Sequence, residues 1–404
     1  MISNRSIRRV RVVTKPLVFE KPLGMRDTLP NLYEIKSMSR SAMEQAVQKW
    51  GYRFMQTPTV EYYDTVGEAS ATLEKQLFKL LDQEGKILVL RPDMTAPIAR
   101  VAASTLQGES QPMRIAYSAN VFRAQQQEGG RPAEFEQFGV ELIGDGSTSA
   151  DGEVIALMIE TFEHVGLQNF QVAVGHLGYV DALFKEILGT DERVEKLKRF
   201  LYEKNYVGYK QHVKKLPLSS IDQKRLLDFL HLRGENKLED AEKLIASTRG
   251  YEAIEELHAL RECLKAFGVN ELTTLDLTLV SHMTYYTGVV FEGYAPELGS
   301  PISNGGRYDE LLAKFDNEAK ATGFGIHLDY LMEAIEPVEK KPFTHCVIFS
   351  EGQREEAYAF GKKLRDQGET AVVQDIRGIG SLDTFTEQFS NVTYYLGKEE
   401  GGEK

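Results

Sequence analysis

Two long extended segments in the middle of the chain constrain its fold most. Residues 113–122 and 135–143 are rich in apolar, aromatic and β-branched side chains, and a loop rich in Gln and Gly separates them. Such segments predict two strands that flank a loop. Further strands are predicted at residues 78–81, 87–90, 275–280 and 289–294. Because helical segments interrupt these strands, the pattern predicts an α+β domain built on an antiparallel sheet.

Helical periodicity marks two regions beside these strands. Apolar residues recur at helical spacing over residues 32–50, and an extended run that closes at Pro58 follows. Residues 182–268 also have helical periodicity, with mixed charges, and they interrupt the sheet pattern. They predict an inserted helical subdomain. Further helices are predicted to follow the glycine-containing runs 305–308 and 322–326.

The character of the sequence changes after residue 342. Strands are predicted at residues 344–350, 370–374 and 392–396. A helical pattern at residues 355–366 lies between the first two of them, and this alternation is typical of a small parallel sheet. The predicted organisation comprises a flexible basic arm at 1–20, a core at 21–335 that contains the insertion, and a small α/β C-terminal domain at 342–404.

Composition excludes one broad class of function. The chain has 404 residues, which is enough for two or three domains, and its 42% hydrophobic content is ordinary for a globular protein. The formal net charge is −12. Phosphate contacts need clustered Lys and Arg, and no long basic run occurs beyond the N-terminus. We therefore expect no broad binding of nucleic acid.

Cysteine, histidine and hydropathy patterns exclude further classes. Cys263 and Cys346 lie far apart in the sequence, so neither a disulfide framework nor a Cys-based zinc site is expected. The eight histidines have no metal-ligand spacing, and no apolar run approaches the length of a membrane span. The basic N-terminus lacks the apolar region of a secretory signal. We expect a cytoplasmic protein with neither metal nor cofactor.

Polar residues interrupt the apolar strand predicted at 135–143. Gln137 and Glu141 are four residues apart, so the period of two places them on one face of the strand. The segments Tyr117–Arg123 and Glu134–Glu141 resemble the second signature motif of class II aminoacyl-tRNA synthetases, in particular the histidyl enzymes.

This resemblance covers roughly residues 24–335, and it is specific because several separate motifs occur in the family's order. It implies the class II synthetase fold for the core. It also implies that residues 32–58, which resemble the first motif of that class, form a homodimer interface.

The resemblance further implies a histidine site. A buried α-ammonium needs carboxylates, and an imidazole needs a hydrogen-bonding group at each ring nitrogen. The runs Leu90–Thr95 and Tyr285–Glu292 resemble the segments that serve these groups in the family. The implied histidine-binding residues are Asp93, Thr95, Arg123, Gln137, Glu141, Tyr285 and Tyr286.

Some of these residues also suit structural roles. Asp93 follows a proline and is suited to capping the next helix, and Gln137 and Glu141 are suited to a solvated strand face. Adjacent tyrosines on a strand point in opposite directions, so only one of Tyr285 and Tyr286 is expected to contact the ligand. Arg307 resembles a family residue that shapes the pocket floor.

Three positions depart from what amino-acid activation requires. Attack of a carboxylate on a phosphate develops negative charge, which positioned cations stabilise. The family has charged residues where this chain has Gln125, Ser281 and Tyr330, and Tyr330 stands where an Arg stacks on ATP. We assign no role to His282 or His327, because an isolated histidine is more often structural. Efficient adenylation is therefore not expected, and no catalytic residue is assigned.

Within this group, the pattern resembles the synthetase-like regulatory subunits of ATP phosphoribosyltransferase. The resemblance implies a non-catalytic subunit that binds the short catalytic subunit, supports the first step of histidine biosynthesis and transmits feedback inhibition by histidine. One alternative is a divergent histidyl-tRNA synthetase or another amino-acid-activating ligase. A second alternative is a stand-alone amino-acid-binding protein.

Overall fold

The computed structural model describes residues 19–124, 132–234, 236–281, 285–296, 298–335 and 343–397. The chain divides into two compact units, Met1–Glu336 and Pro337–Lys404. Most of the predicted basic arm, residues 1–18, lies outside the described residues, as do residues 398–404.

The first unit contains strands and helices in alternating groups. Its strands are β1 (Arg53–Phe54), β2 (Val60–Tyr62), β3 (Lys79–Leu81), β4 (Ile87–Leu90), β5 (Met113–Phe122), β6 (Glu134–Ile143), β7 (Gln171–His176), β8 (Thr273–Leu275), β9 (Val289–Tyr294), β10 (Ser303–Arg307) and β11 (Ala321–His327). Its α-helices are α1 (Pro30–Lys49), α2 (Thr95–Ala103), α3 (Thr148–His164), α4 (Leu177–Leu188), α5 (Asp191–Tyr202), α6 (Tyr206–Lys215), α7 (Ser220–Phe229), α8 (Leu238–Glu242), α9 (Thr248–Ala266) and α10 (Leu328–Ala334).

The main sheet has eight strands in the order β1-β5-β6-β11-β10-β9-β7-β8. Its central pairs are antiparallel, and β1 with β5 and β7 with β8 form parallel pairs at the two ends. A smaller sheet has the order β2-β4-β3. The predicted α+β class with a largely antiparallel sheet is confirmed.

Alternate residues of strand β6 face opposite sides of the main sheet. Its residues Phe138, Val140 and Leu142 are fully buried in a core that they share with residues of α1 and α3. Successive residues of a strand point to opposite faces, so Gln137 and Glu141 lie on the other face. The alternation of buried apolar residues in β6 therefore places these two polar side chains together on one face of the sheet.

The helical insertion connects the parallel neighbours β7 and β8. Parallel strands need a crossover connection, and here helices α4 to α9 supply it between Leu177 and Ala266. The prediction of helix throughout residues 182–268 agrees with these bounds to within a few residues. The helix α3 had no counterpart in the sequence prediction.

One predicted strand is wrong, and one predicted helix is only a short 3₁₀ helix. The strand predicted at 275–280 ends at Leu275, because the Asp276 side chain accepts a hydrogen bond from the Thr278 backbone N–H at 2.9 Å and turns the chain. The glycines of the run 305–308 belong to β10, and the helix predicted after this run is a short 3₁₀ helix, Leu312–Phe315. A Cβ at Gly305 would overlap the ring of Phe291, so glycine is required there for close packing within the sheet.

The second unit has a three-stranded parallel sheet in the order β13-β12-β14. Its elements are β12 (Phe343–Phe349), α11 (Arg354–Asp366), β13 (Ala371–Asp375), α12 (Leu382–Thr386) and β14 (Phe389–Tyr395). Val347, Phe349, Ala357 and Leu364 form its small apolar core between β12 and α11.

Candidate functional site: a buried acidic cluster beside an open cleft

A cleft of about 810 Å³ opens on the face of the main sheet that carries Gln137. Strand β6 and the β11–α10 junction supply part of its wall, and the helical insertion supplies another part. The wall includes Arg123, Phe135, Gln137, Lys204, Arg233, His327 and Tyr330. Two of the predicted site residues, Arg123 and Gln137, therefore line this cleft.

Glu141 is the centre of a buried polar cluster on the same face of β6. Glu141 is 1% exposed. The Thr95 hydroxyl donates to Oε1 at 2.8 Å, and the Tyr308 hydroxyl donates to Oε2 at 2.5 Å. Thr95 opens α2 and Tyr308 follows β10, so three separate elements meet at one carboxyl group.

Asp93 is a second buried carboxyl group in this cluster. The Ser70 hydroxyl donates to its Oδ2 at 2.6 Å. The backbone N–H of Ala96 donates to its Oδ1 at 3.0 Å, which satisfies an otherwise unpaired donor in the first turn of α2. Asp93 therefore caps this helix, and the same side chain contributes negative charge near Glu141.

The two carboxyl groups have no cationic partner in the described part of the chain. Asp93 and Glu141 are each 1% exposed, and neither forms a salt bridge with a described Lys, Arg or His. Burial raises the pKa of Glu141 to about 8, against the hydrogen bonds from Tyr308 and Thr95, and the charge of Asp93 adds to the rise. A cationic group bound here would offset this penalty.

Glycines of β11 make room for both polar residues of β6. A Cβ at Gly323 would overlap Oε2 of Glu141, and a Cβ at Gly325 would overlap Nε2 of Gln137. Gln137 is 9% exposed, and its Oε1 has no hydrogen-bond partner among the residues that the structure describes. A buried amide oxygen without a partner is costly, so this acceptor suits a ligand donor.

The two adjacent tyrosines occupy different environments. Tyr285 is buried, and its ring packs edge-on against Tyr308, with centroids 5.9 Å apart. Tyr286 is partly buried and packs edge-on against Tyr285 at 5.0 Å. Tyr285 therefore supports the tyrosine that holds Glu141. Burial raises the pKa of both hydroxyls, which keeps them protonated as hydrogen-bond donors.

Arg123 is fixed near the end of β5. Its Nε donates to the backbone carbonyl of Pro92 at 2.8 Å. Its guanidinium carbon lies 5.3 Å from the ring centroid of Phe135. The residue therefore links the segment before Asp93 to the wall of the cleft.

Sequence reasoning missed several residues of this site. Ser70, Tyr117 and Tyr308 received no role, although each takes part in the polar cluster or borders it. A Cβ at Gly139 would overlap the Tyr117 hydroxyl, so this hydroxyl lies over the β6 backbone between Gln137 and Glu141. Tyr308 directly follows Arg307 in a run that the resemblance linked to the pocket, and that adjacency was the available signal.

Arg307 has the contacts of a structural residue. Its Nε and Nη2 donate to Oδ2 of Asp151 at 3.0 and 2.9 Å, and Nη2 also donates to the Ser147 carbonyl. These bonds tie β10 to the start of α3. Burial raises the pKa of Asp151 to about 6, and the charge of Arg307 opposes this rise.

The positions linked to adenylation are only partly described. Gln125 lies outside the described residues, and so does His282, to which no role is assigned. Ser281 and Tyr330 both line the cleft, so two of the three positions that the sequence analysis linked to adenylation lie at one cavity with Arg123 and Gln137.

The described residues contain no group of three or more potential metal ligands. None of the helices among them is long and apolar enough to span a membrane.

The fold and the buried polar site define a protein of the histidyl-tRNA synthetase class. The family model described as histidyl-tRNA synthetase matches residues 24–331. A second model, described as histidyl-tRNA synthetase HisZ, C-terminal domain, matches residues 346–397. The histidyl-tRNA synthetase from Nostoc sp. PCC 7120 shares the fold at 19% identity, with a TM-score of 0.77 over 92% of this chain and 89% of that one.

Within that class, the chain belongs to the family of ATP phosphoribosyltransferase regulatory subunits. It is 58% identical over 382 residues to the subunit from Geobacillus thermodenitrificans, a match that covers 94% of this chain and 97% of the relative. It is 56% identical to the Bacillus subtilis subunit, over 95% of this chain and 99% of the relative. The crystal structure of an ATP phosphoribosyltransferase regulatory subunit/histidyl-tRNA synthetase from Bacillus halodurans C has a TM-score of 0.89 at 53% identity, covering 95% and 100% of the two chains.

Proposed function

We propose that this chain is a non-catalytic regulatory subunit that binds free histidine and controls ATP phosphoribosyltransferase, the first enzyme of histidine biosynthesis. It acts in the cytoplasm as a homodimer joined to the short catalytic subunit. The regulatory role rests on family membership. The histidine site rests on the geometry of the cluster formed by Asp93, Thr95, Gln137 and Glu141.

The main support for a histidine site is that two buried carboxyl groups have no cationic partner among the described residues. Hydroxyl groups surround Glu141 and Asp93, but hydroxyls add no positive charge. An α-ammonium group would supply that charge, and it would donate to both carboxylates.

The other end of an amino acid needs different partners. Gln137 lines the cleft and has an unused acceptor, which suits an imidazole N–H. Arg123 lines the same cleft and suits the ligand's carboxylate, as a planar guanidinium commonly does. The arrangement therefore has complementary groups for an ammonium, a carboxylate and a ring nitrogen.

Adenylation is not part of this proposal. The transition state for attack on a phosphate needs cations, and the cleft positions of Ser281 and Tyr330 supply none. Removing one group of this kind typically costs about 3 kcal/mol of transition-state stabilisation. An amino acid can therefore bind here without being activated.

Homodimer formation is supported by exposed apolar side chains on two elements of the first unit. Leu32, Tyr33 and Met38 of α1 are exposed, with Tyr33 at 57%. The small sheet exposes Leu81 at 74% and Ile87 at 42%. Large exposed apolar groups of this kind suit an obligate interface. Sedimentation that shows a monomer at micromolar concentration would contradict the dimer.

The regulatory proposal is tested by reconstitution with the short catalytic subunit. Phosphoribosyltransferase activity is measured for the catalytic subunit alone and with this chain, each with and without histidine. We expect this chain to raise activity and to make it sensitive to histidine. A Glu141→Ala variant should retain activation and lose most of the histidine sensitivity. Unchanged inhibition by the folded variant would show that the site does not sense histidine.

The rival function is amino-acid activation by a divergent ligase. The fold favours it, since solved histidyl-tRNA synthetases share the fold. Histidine-dependent ATP–pyrophosphate exchange separates the two directly. Exchange at a rate typical of a synthetase would replace the regulatory proposal, whereas its absence supports binding without activation.

A further inference from the structure

Three aromatic rings form a continuous stack at one end of the cleft. The imidazole of His327 lies against the ring of Phe135, with centroids 4.1 Å apart and planes inclined by 8°. It also lies against the ring of Tyr330, with centroids 3.9 Å apart and an angle of 11°. All three residues line the cleft, so the stack is part of its wall.

Phe135 and Tyr330 must lie on opposite faces of His327. Two rings that are both parallel to an imidazole and about 4 Å from its centre would overlap each other on a single face. The imidazole is therefore sandwiched between two aromatic surfaces. This is the arrangement that aromatic side chains offer to a flat heterocyclic ligand.

The backbone fixes this sandwich firmly. His327 is the last residue of β11 and pairs with Gln137 of β6. Phe135 lies two residues before Gln137, on the same face of β6. Tyr330 lies in the first turn of α10, three residues after His327, and this spacing brings the two side chains together. In their observed positions, β6, β11 and α10 therefore hold the three rings in the stack.

We propose that His327 is an internal plug of a base-binding slot, and that it makes this cleft selective against nucleotides. The slot between Phe135 and Tyr330 has the spacing for one planar ring, and the chain fills it with its own imidazole. An adenine base therefore cannot stack between these two rings. The inference rests on the proposed function in one respect, namely that the cleft serves a free amino acid.

The plug has a clear consequence for ligand choice. The cleft is large enough for a nucleotide, and Arg123 in its wall suits a phosphate group. Base–aromatic stacking commonly changes affinity by about tenfold or more. Filling the slot removes that contribution, so the chain can respond to an amino acid in the presence of abundant ATP.

The test compares ATP and adenosine binding by the full-length wild-type chain and by variants at two positions. His327→Ala empties the slot, and His327→Phe keeps it filled with a ring of similar size. We expect His327→Ala to bind ATP and adenosine at least about tenfold more tightly than the wild type or His327→Phe, as measured by calorimetry. Adding Tyr330→Leu to His327→Ala should remove the gain, because one wall of the slot is lost.

Three results would overturn the plug. They are ATP binding by the wild type as tight as by His327→Ala, an equal gain in His327→Phe, or a gain that survives Tyr330→Leu. If His327→Ala does not fold, His327→Asn makes the same comparison, since its flat side chain is too small to fill the slot. A wild type that binds ATP at low micromolar concentration overturns the inference without any variant.

Histidine titrations on the same samples keep this inference separate from the proposed function. Absence of histidine binding to every sample, together with the expected gain for ATP, would refute the amino-acid site and leave the plug in place. Normal histidine binding without any gain for ATP would refute the plug alone.

Discussion

The two ends of the cleft region differ in what they leave unsatisfied. Around Glu141 and Asp93, two carboxyl groups are buried and hydroxyls are their only described side-chain partners, so that end gains from a bound cation. Around His327, aromatic faces are already covered by one another, so that end gains nothing from a bound ring. We propose that this synthetase-like scaffold keeps one ligand site receptive while it closes the neighbouring one. Four measurements test this contrast.

The largest expected effect comes from Glu141→Ala. The change removes the proposed partner of the ligand's ammonium, and loss of one member of a buried charged pair commonly costs about 2–5 kcal/mol. Histidine affinity should fall roughly thirtyfold or more, as measured by calorimetry. Glu84→Ala, at an exposed turn residue, is the matched control and should bind histidine like the wild type. Equal affinities in the two variants would mean that the acidic cluster is not the binding site.

The next effect comes from crowding the cluster instead of emptying it. In Gly323→Ala, the new methyl group would overlap Oε2 of Glu141. Overpacking of this kind typically costs about 1–3 kcal/mol, which should lower the midpoint of chemical denaturation and weaken histidine binding. Gly108→Ala is the control, because a Cβ there meets nothing within 4 Å. A fully stable Gly323→Ala variant would show that β11 does not need a bare backbone.

The pH dependence of stability reports on the unliganded acidic end. The pKa of Glu141 is raised from an ordinary 4.5 to about 8, so the folded state binds more protons than the unfolded state between these values. Stability should therefore be highest below pH 4.5 for this group and fall as pH rises towards 8, by up to about 1.4 kcal/mol per unit.

Glu141→Gln removes this titration and provides the comparison. The difference in unfolding free energy between the variant and the wild type should grow in favour of the variant from pH 5 to pH 8. A constant difference across that range would mean that Glu141 titrates normally and is not strongly desolvated.

The smallest effect is expected at the aromatic end. Tyr330→Leu removes one of the two faces that cover His327, and an aromatic pair of this kind is worth about 0.5–1.5 kcal/mol beyond its buried area. The variant should lose roughly that much stability in chemical denaturation, while Tyr330→Phe should lose much less. Equal losses would show that the hydroxyl, and not the ring, carries the contribution of Tyr330.

The fold was predictable where pattern and packing agree. The alternation of β6 follows directly from its sequence, and the predicted bounds of β5 and β9 agree with the structure because long apolar strands have clear periodicity. The strand predicted at 275–280 does not form, because the Asp276 side chain forms a turn that competes with the backbone hydrogen bonds of the sheet. The position of Gly305 and Gly306 inside β10 was not predicted, because the sequence alone cannot distinguish a turn glycine from one that allows close packing.

The candidate site divides in the same way. Gln137 and Glu141 could be paired from their spacing alone, because one strand carries both. Tyr308 and Ser70 come from distant segments, and only the tertiary structure brings their hydroxyls to the carboxyl groups. The role of His327 was missed because a stack depends on ring orientation, which no spacing along a strand reveals.

The most direct test of the contrast between the two ends is a calorimetric titration of the wild-type chain with histidine, made without ATP and with millimolar ATP. A receptive acidic end predicts saturable binding of histidine, and a closed aromatic end predicts the same affinity in both titrations, because a ligand that does not bind cannot be coupled to one that does. No histidine binding, or an affinity that changes several-fold when ATP is present, would contradict the account.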